Sequence, residues 1–155
     1  MYRSITLEED LALKETVATR FADKSSAFAW RETLDTSLRS PVPEIVVTRG
    51  GQEESFSLAD VADAIGESLT DLLISRNEPE DSIFSEKNRS FVSSVAHRVS
   101  SSLMRQVQRG GSLKLSQNDL YLLIEKALIE NDAHDVAKSL VFKRSLERTG
   151  EISID

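Results

Sequence analysis

This chain has two histidines, His97 and His134, and no cysteine. The absence of cysteine excludes disulfides, thiolate zinc sites and cysteine nucleophiles, and two histidines leave little for a histidine metal site. His134-Asp135 pairs a general base with a carboxylate. Neighbours on a helix point about 100° apart, however, so the pair reads as a solvated helix start. His97 lies among Val95, Ala96 and Val99, a structural or surface position. Serines are plentiful, but none stands in G-x-S-x-G or S-x-x-K with supporting partners. Glu53-Glu54 reads as a solvated hairpin edge rather than a catalytic dyad. Neither G-x-x-x-x-G-K-[ST] nor G-x-G-x-x-G occurs, so both standard phosphate-cradling loops are missing. Arg49-Gly50-Gly51 and Arg109-Gly110-Gly111 repeat a triplet that suits turns and helix ends better than RNA contacts. These residues do not specify an enzyme, and the expectation is a non-catalytic protein.

The charge balance points the same way. The 155 residues carry 19 basic and 26 acidic side chains, a net charge of -7. Residues 1–40 are net -1, residues 41–111 net -4 and residues 112–155 net -2. No segment is basic, so the footprint of a duplex-binding protein is missing and no nucleic-acid partner is expected. An anionic ligand needs a local basic pocket set against the overall field. No apolar run approaches the roughly 20 residues of a membrane span, and Met1-Tyr2-Arg3 leads into Glu8-Glu9-Asp10 without an apolar signal region. The expected compartment is the cytoplasm, with no membrane partner.

The elements that must position any site follow from periodicity. The first forty residues read as two helices, with Thr6 and Glu9 as a capping box. Leu7, Leu11, Leu13, Val17 and Phe21 form the first stripe, and Trp30, Leu34 and Leu38 the second. Ser40-Pro41-Val42-Pro43 is a linker or strand entry. Residues 44–48 are a β-branched strand, residues 49–52 a turn and residues 54–56 a returning strand. Ser57 caps a helix with Leu58, Val61, Ala62, Ile65, Leu69 and Leu72 on its apolar face. Residues 76–82 read as a polar loop. A long helix spans residues 85–109, with Phe91, Val95, Val99, Leu103 and Val107 every four, and Gly110-Gly111 ends it. Residues 113–115 read as a third strand. Ser116 caps a further helix, Asn131-Asp132 breaks it, and a last helix runs to about residue 148. The expected class is α+β and mainly helical, a four-helix bundle capped by a small three-stranded sheet. Residues 1–43 are read as a helical extension with a Pro linker, residues 44–149 as the domain and residues 150–155 as a flexible tail.

Two stretches carry a family resemblance. The first is Val47-Thr48-Arg49-Gly50-Gly51, followed by Phe56-Ser57, Val61 and Ala64-Ile65. It resembles the opening of the ATP-cone domain, commonly V-x-K-R-D-G, then a hydrophobic-Asp pair, Lys-Ile and Ala-Ile. The second is Asp119-Leu120 with Ile124-Glu125-Lys126-Ala127-Leu128, then Asp135-Val136-Ala137-Lys138-Ser139-Leu140-Val141-Phe142-Lys143-Arg144. It is similar to the cone's closing helices, V-E-K-x-L and V-A-K-A-Y-I-x-Y-R. The resemblance covers about residues 44–148. It implies a regulatory module that binds ATP or dATP, with Mg²⁺, between a strand lid and helices, and that controls oligomeric state. The implied partners are the nucleotide, a second copy of the chain, or a ribonucleotide reductase subunit. A reductase barrel needs several hundred residues and redox cysteines, so this chain does not itself reduce ribonucleotides.

Residue by residue, the resemblance places Val47 and Arg49 near base and phosphates, with Gly51 on the glycine that closes the same motif. Glu54 takes the position of an acidic contact. Ser116 starts the helix that faces the ligand, Tyr121 contacts or stacks on the base, and Arg144 matches the terminal Arg. Thr48, Gly50 and Asp60 replace the family's Lys, Asp and lid-helix Lys. Asp60 is therefore expected to repel a triphosphate, leaving Arg49, Arg144 and the start of the Ser57 helix to hold it. The alternative is a degenerate cone without nucleotide, an interaction or oligomerisation domain in which Trp30, Leu34 and Leu38 form the interface.

Overall fold

In the computed structural model the described residues are 30–154, with side chains described as far as Leu146. The expected Thr6 cap and the stripe from Leu7 to Phe21 lie outside them. The β-branched run after the prolines forms β1, Val42–Arg49, and Gly50-Gly51 turns the chain into β2, Gln52–Phe56. Both glycines have positive φ, +57° and +82°, as tight hairpin turns require. The two strands are antiparallel, with Val47 opposite Glu54 and Arg49 opposite Gln52. β3, Leu113–Ser116, lies parallel on the other side of β1, with Val47 opposite Leu115. The sheet order is β2-β1-β3. Pro43 falls in the register shift between Val42 and Val46, where its missing N–H breaks no ladder bond to β2.

A parallel pair needs a long crossover. Helices α1 (Leu58–Ser75), α2 (Glu80–Ile83) and α3 (Glu86–Gly110) supply it. Helices α4 (Gln117–Glu130) and α5 (His134–Ile154) follow β3. The described residues are thus mainly helical, with four long helices and one small mixed sheet. The core joins Ile45, Val47 and Phe56 of the sheet to Ile65, Val95, Leu103, Ile124 and Leu140 of the helices. Ser85 accepts a hydrogen bond from the Asn88 N–H at the start of α3, and Gly111, φ +81°, ends that helix in the left-handed region.

Local structure departs from the sequence reading in four places. Trp30 and Leu38 lie in two 3₁₀ turns, Trp30–Thr33 and Thr36–Arg39, and Leu34 in the bend between them, so the stripe is not one α-helix. The expected loop at 76–82 contains the start of α2, whose Ile83 is fully buried. The Ser57 hydroxyl caps nothing, although its backbone is extended as an N-cap should be. Helix α5 continues to Ile154, so helix takes up most of the expected tail.

The turn segment is bound firmly to α1. Trp30 is 5% exposed and Leu34 2%, so both belong to the intramolecular core and not to an interface between chains. The indole occupies the space beside Gly66 that any side chain would fill: a Cβ there would sit 1.9 Å from the Trp30 Cγ. The Trp30 Nε1–H donates to the Thr70 Oγ1 at 3.1 Å, and the ring packs at 4.7 Å against Phe84.

Candidate functional site

A cavity of about 230 Å³ opens where the end of β1, helix α1, the first turn of α4 and helix α5 meet. Each element delivers a different chemistry. Arg49 is the last residue of β1, next to the hairpin turn. From α5 come Leu140, Lys143 and Arg144, and from α4 Gln117 and Tyr121. Helix α1 contributes Asp60, Asp63 and Glu67 at spacings of three and four, which place them on one face. Ala64 and Ser68 of the same helix also line the cavity. Ser68 is fully buried and its hydroxyl has no hydrogen-bond partner among the described residues.

The lining holds equal numbers of cationic and anionic side chains, but they are not equally engaged. Lys143 pairs with Glu67 at 3.1 Å and with Asp71 at 3.6 Å. Asp60 and Asp63 are taken up by Arg31 from the 3₁₀ segment behind α1. The Arg31 Nε and Nη2 donate to the Asp63 Oδ2 at 2.8 and 2.6 Å, and Nη2 also donates to the Asp60 Oδ1 at 3.1 Å. The Arg31 backbone N–H donates to the other Asp63 oxygen at 3.0 Å. Hydrogen bonding to Asp63 raises the Arg31 pKa above its ordinary value, against the opposing effect of burial. What remains is a pair of guanidiniums. Arg49 has no ion-pair partner among the described residues. Arg144 makes a neutral hydrogen bond to the Asn118 Oδ1 and lies over the Tyr121 ring, 4.7 Å from its centroid.

Arg49, Tyr121 and Arg144, expected at the site, line this one cavity. The other expected residues lie elsewhere. Val47 is in the core at the centre of the sheet, and Glu54 opposite it is on the exposed edge strand. Gly51 is at the tip of the hairpin. Ser116 is committed to a capping box: its hydroxyl accepts from the Asp119 N–H at 3.0 Å, and its own N–H donates to the Asp119 carboxylate at 3.4 Å. The Arg144 guanidinium lies over the Tyr121 ring expected to contact or stack on a base.

Sequence reasoning did not single out Arg31, Asp63, Glu67 or Lys143. The three-and-four spacing of the α1 carboxylates was readable. The reach of Arg31 was not, because it depends on a segment folding back across 32 residues. Among the described residues no group of His, Asp or Glu is placed to hold a metal ion, and no helix is long and apolar enough to cross a membrane. No protein-family model matches the chain, and no curated protein matches it either.

Proposed function

We propose that this protein is a non-catalytic, ATP-cone-like module that binds ATP or dATP, with its Mg²⁺, in the cavity between the hairpin and the helices, as a regulatory signal. The observation that carries the reading is the convergence of Arg49 and Arg144, neither with a carboxylate partner among the described residues, beside Tyr121. Two guanidiniums without carboxylate partners suit phosphate oxygens, which they bind through paired N–H donors. A guanidinium stacked on an aromatic ring offers a flat surface to a base. The unpaired, buried Ser68 hydroxyl adds a polar group for the uncharged part of such a ligand. The sheet order, with a distant third strand parallel to the first, also supports a cone-like lid.

The cavity, about 230 Å³, is smaller than the roughly 300–1,000 Å³ of typical ligand pockets. Binding therefore includes some opening between the hairpin and α5. The proposed consequence is control of assembly, with a ribonucleotide reductase subunit or a second copy of the chain as partner.

Titration calorimetry of ATP and dATP into wild type, Arg49→Ala and Arg144→Ala tests the reading. Loss of one phosphate-binding guanidinium should weaken binding by about tenfold or more. Equal binding by all three proteins would remove the cavity from consideration.

The second reading, an interaction domain without nucleotide, draws on α5. Phe142 is 64% exposed and Leu146, one turn on, 56%. These residues, not Trp30 and Leu34, would form its interface. It requires self-association that nucleotide leaves unchanged.

A further inference from the structure

We infer that Arg31, a residue outside the cavity, sets the cavity's affinity for anions by neutralising Asp60 and Asp63, and thereby ties occupancy of the cavity to the 3₁₀ segment that carries it. The inference rests on the nucleotide reading above and adds to it a residue and a direction of coupling.

Asp60 and Asp63 line the cavity, and an anion entering it meets both carboxylates. Arg31, which does not line the cavity, makes three side-chain hydrogen bonds to them. Its two bonds to one Asp63 oxygen and the backbone bond to the other hold that carboxylate from both sides. With Arg31 in place the pair carries one net negative charge; with Arg31 withdrawn it carries two. The Arg31 side chain is 43% exposed, so the guanidinium can swing into solvent while the segment stays in place.

The backbone of the segment is held independently of these ion pairs. Trp30 lies against Gly66 and bonds Thr70, Leu34 is buried, and the Arg39 guanidinium closes the turn by donating to the Leu34 carbonyl at 2.8 and 3.1 Å. An anion in the cavity favours the state in which Arg31 is engaged. By linkage, engagement of Arg31 favours the anion by the same factor. Arg31 is thus a positioning residue: it touches the carboxylates, not the ligand. The cavity's occupancy is thereby coupled to the 3₁₀ segment that carries Arg31.

The test uses the full chain and its single tryptophan. ATP is titrated calorimetrically into wild type, Arg31→Ala, Arg31→Lys and the triple variant Arg31→Ala/Asp60→Asn/Asp63→Asn. Arg31→Ala is expected to weaken ATP binding about tenfold, as one uncovered charge near a polyanion should. Arg31→Lys should keep most of the affinity. The triple variant should bind at least as tightly as wild type, because its site carries no net charge where wild type keeps one negative charge. In parallel, saturating ATP should reduce acrylamide quenching of Trp30 in wild type. If Arg31 served only to pin the segment, the triple variant would bind as poorly as Arg31→Ala, which would overturn the electrostatic role. Wild-type affinity in Arg31→Ala, or quenching unmoved by bound ATP, would also overturn it while leaving the nucleotide reading intact. If wild type binds no ATP, the nucleotide reading itself falls and this inference with it.

Discussion

At the scale of single residues, charge is decided by neighbours rather than by position in a motif. Asp60 stands where the resembling family has Lys, and read alone it opposes a phosphate. Its carboxylate is held by Arg31, so its repulsion is partly cancelled before any ligand arrives. Lys143 shows the converse: it lines the cavity, but Glu67 and Asp71 already share its charge. Gly66 is the residue whose role is least visible in sequence. It sits inside a helix, where glycine costs about 1 kcal/mol relative to alanine, and the Trp30 indole fills the space its side chain would need. Gly66→Ala should therefore destabilise the fold by about 1–3 kcal/mol, despite the better helix former, because the ring must move. Denaturant melts followed by Trp30 emission check this. A more stable variant with unshifted emission would show that the indole does not depend on that gap.

At the scale of elements, caps and ties fix where the site residues stand. Ser116 ends β3 and starts α4, and its capping box sets the position of Tyr121 one turn further on. Ser116→Ala should cost about 1 kcal/mol of stability and leave ATP affinity within about twofold, since its polar groups serve the cap. A large affinity loss at unchanged stability would instead make Ser116 a ligand contact. The far ends of α1 and α5 are joined by Arg76 and Asp135, 2.7 Å apart. The hydrogen bond from Arg76 holds the Asp135 carboxyl below its ordinary pKa, against a smaller effect of burial. A carboxyl with a depressed folded pKa stabilises the fold above its unfolded pKa and loses that contribution as pH falls through the folded value. The wild-type protein should lose this increment on acidification below the ordinary carboxylate range, and Asp135→Asn should not. The pair is about half exposed, so the increment stays under about 1 kcal/mol. Melts of both proteins between neutral pH and strong acid measure it, and parallel acid limbs would show that the tie contributes nothing.

The elements themselves were largely legible in sequence. The β-branched run after Pro43, the two positive-φ glycines and the Gly111 helix end each follow from local backbone preference, and so does the four-residue spacing along α3. The segment around Trp30 was misread because spacing of four suits a helix, whereas its structure is set by contacts with α1 more than thirty residues away. The same distance hid Arg31. The cavity was half legible: Arg49, Tyr121 and Arg144 were reached through resemblance to a family, while the carboxylates opposite them become meaningful only once α1 and the segment behind it are packed together.

At the scale of the whole molecule, a chain with a net charge of -7 has two guanidiniums that line a cavity without carboxylate partners among the described residues. Those two guanidiniums are the basis for the proposed anion-binding reading, and Arg144 over the Tyr121 ring is the basis for proposing an anion with a planar group. The lid and the helices are joined through the same core, so a ligand that holds the hairpin against α5 should stabilise the whole fold. The direct measurement is a thermal melt of the full chain with and without millimolar ATP and Mg²⁺, alongside the Arg49→Ala/Arg144→Ala double variant. At a ligand concentration of 100 Kd the gain is about 2.7 kcal/mol, and for a domain of this size a rise in Tm of several degrees, about 2–4 °C per kcal/mol, follows. The account predicts that rise in wild type and none in the double variant. An unmoved wild-type Tm, or an equal rise in both proteins, would contradict it.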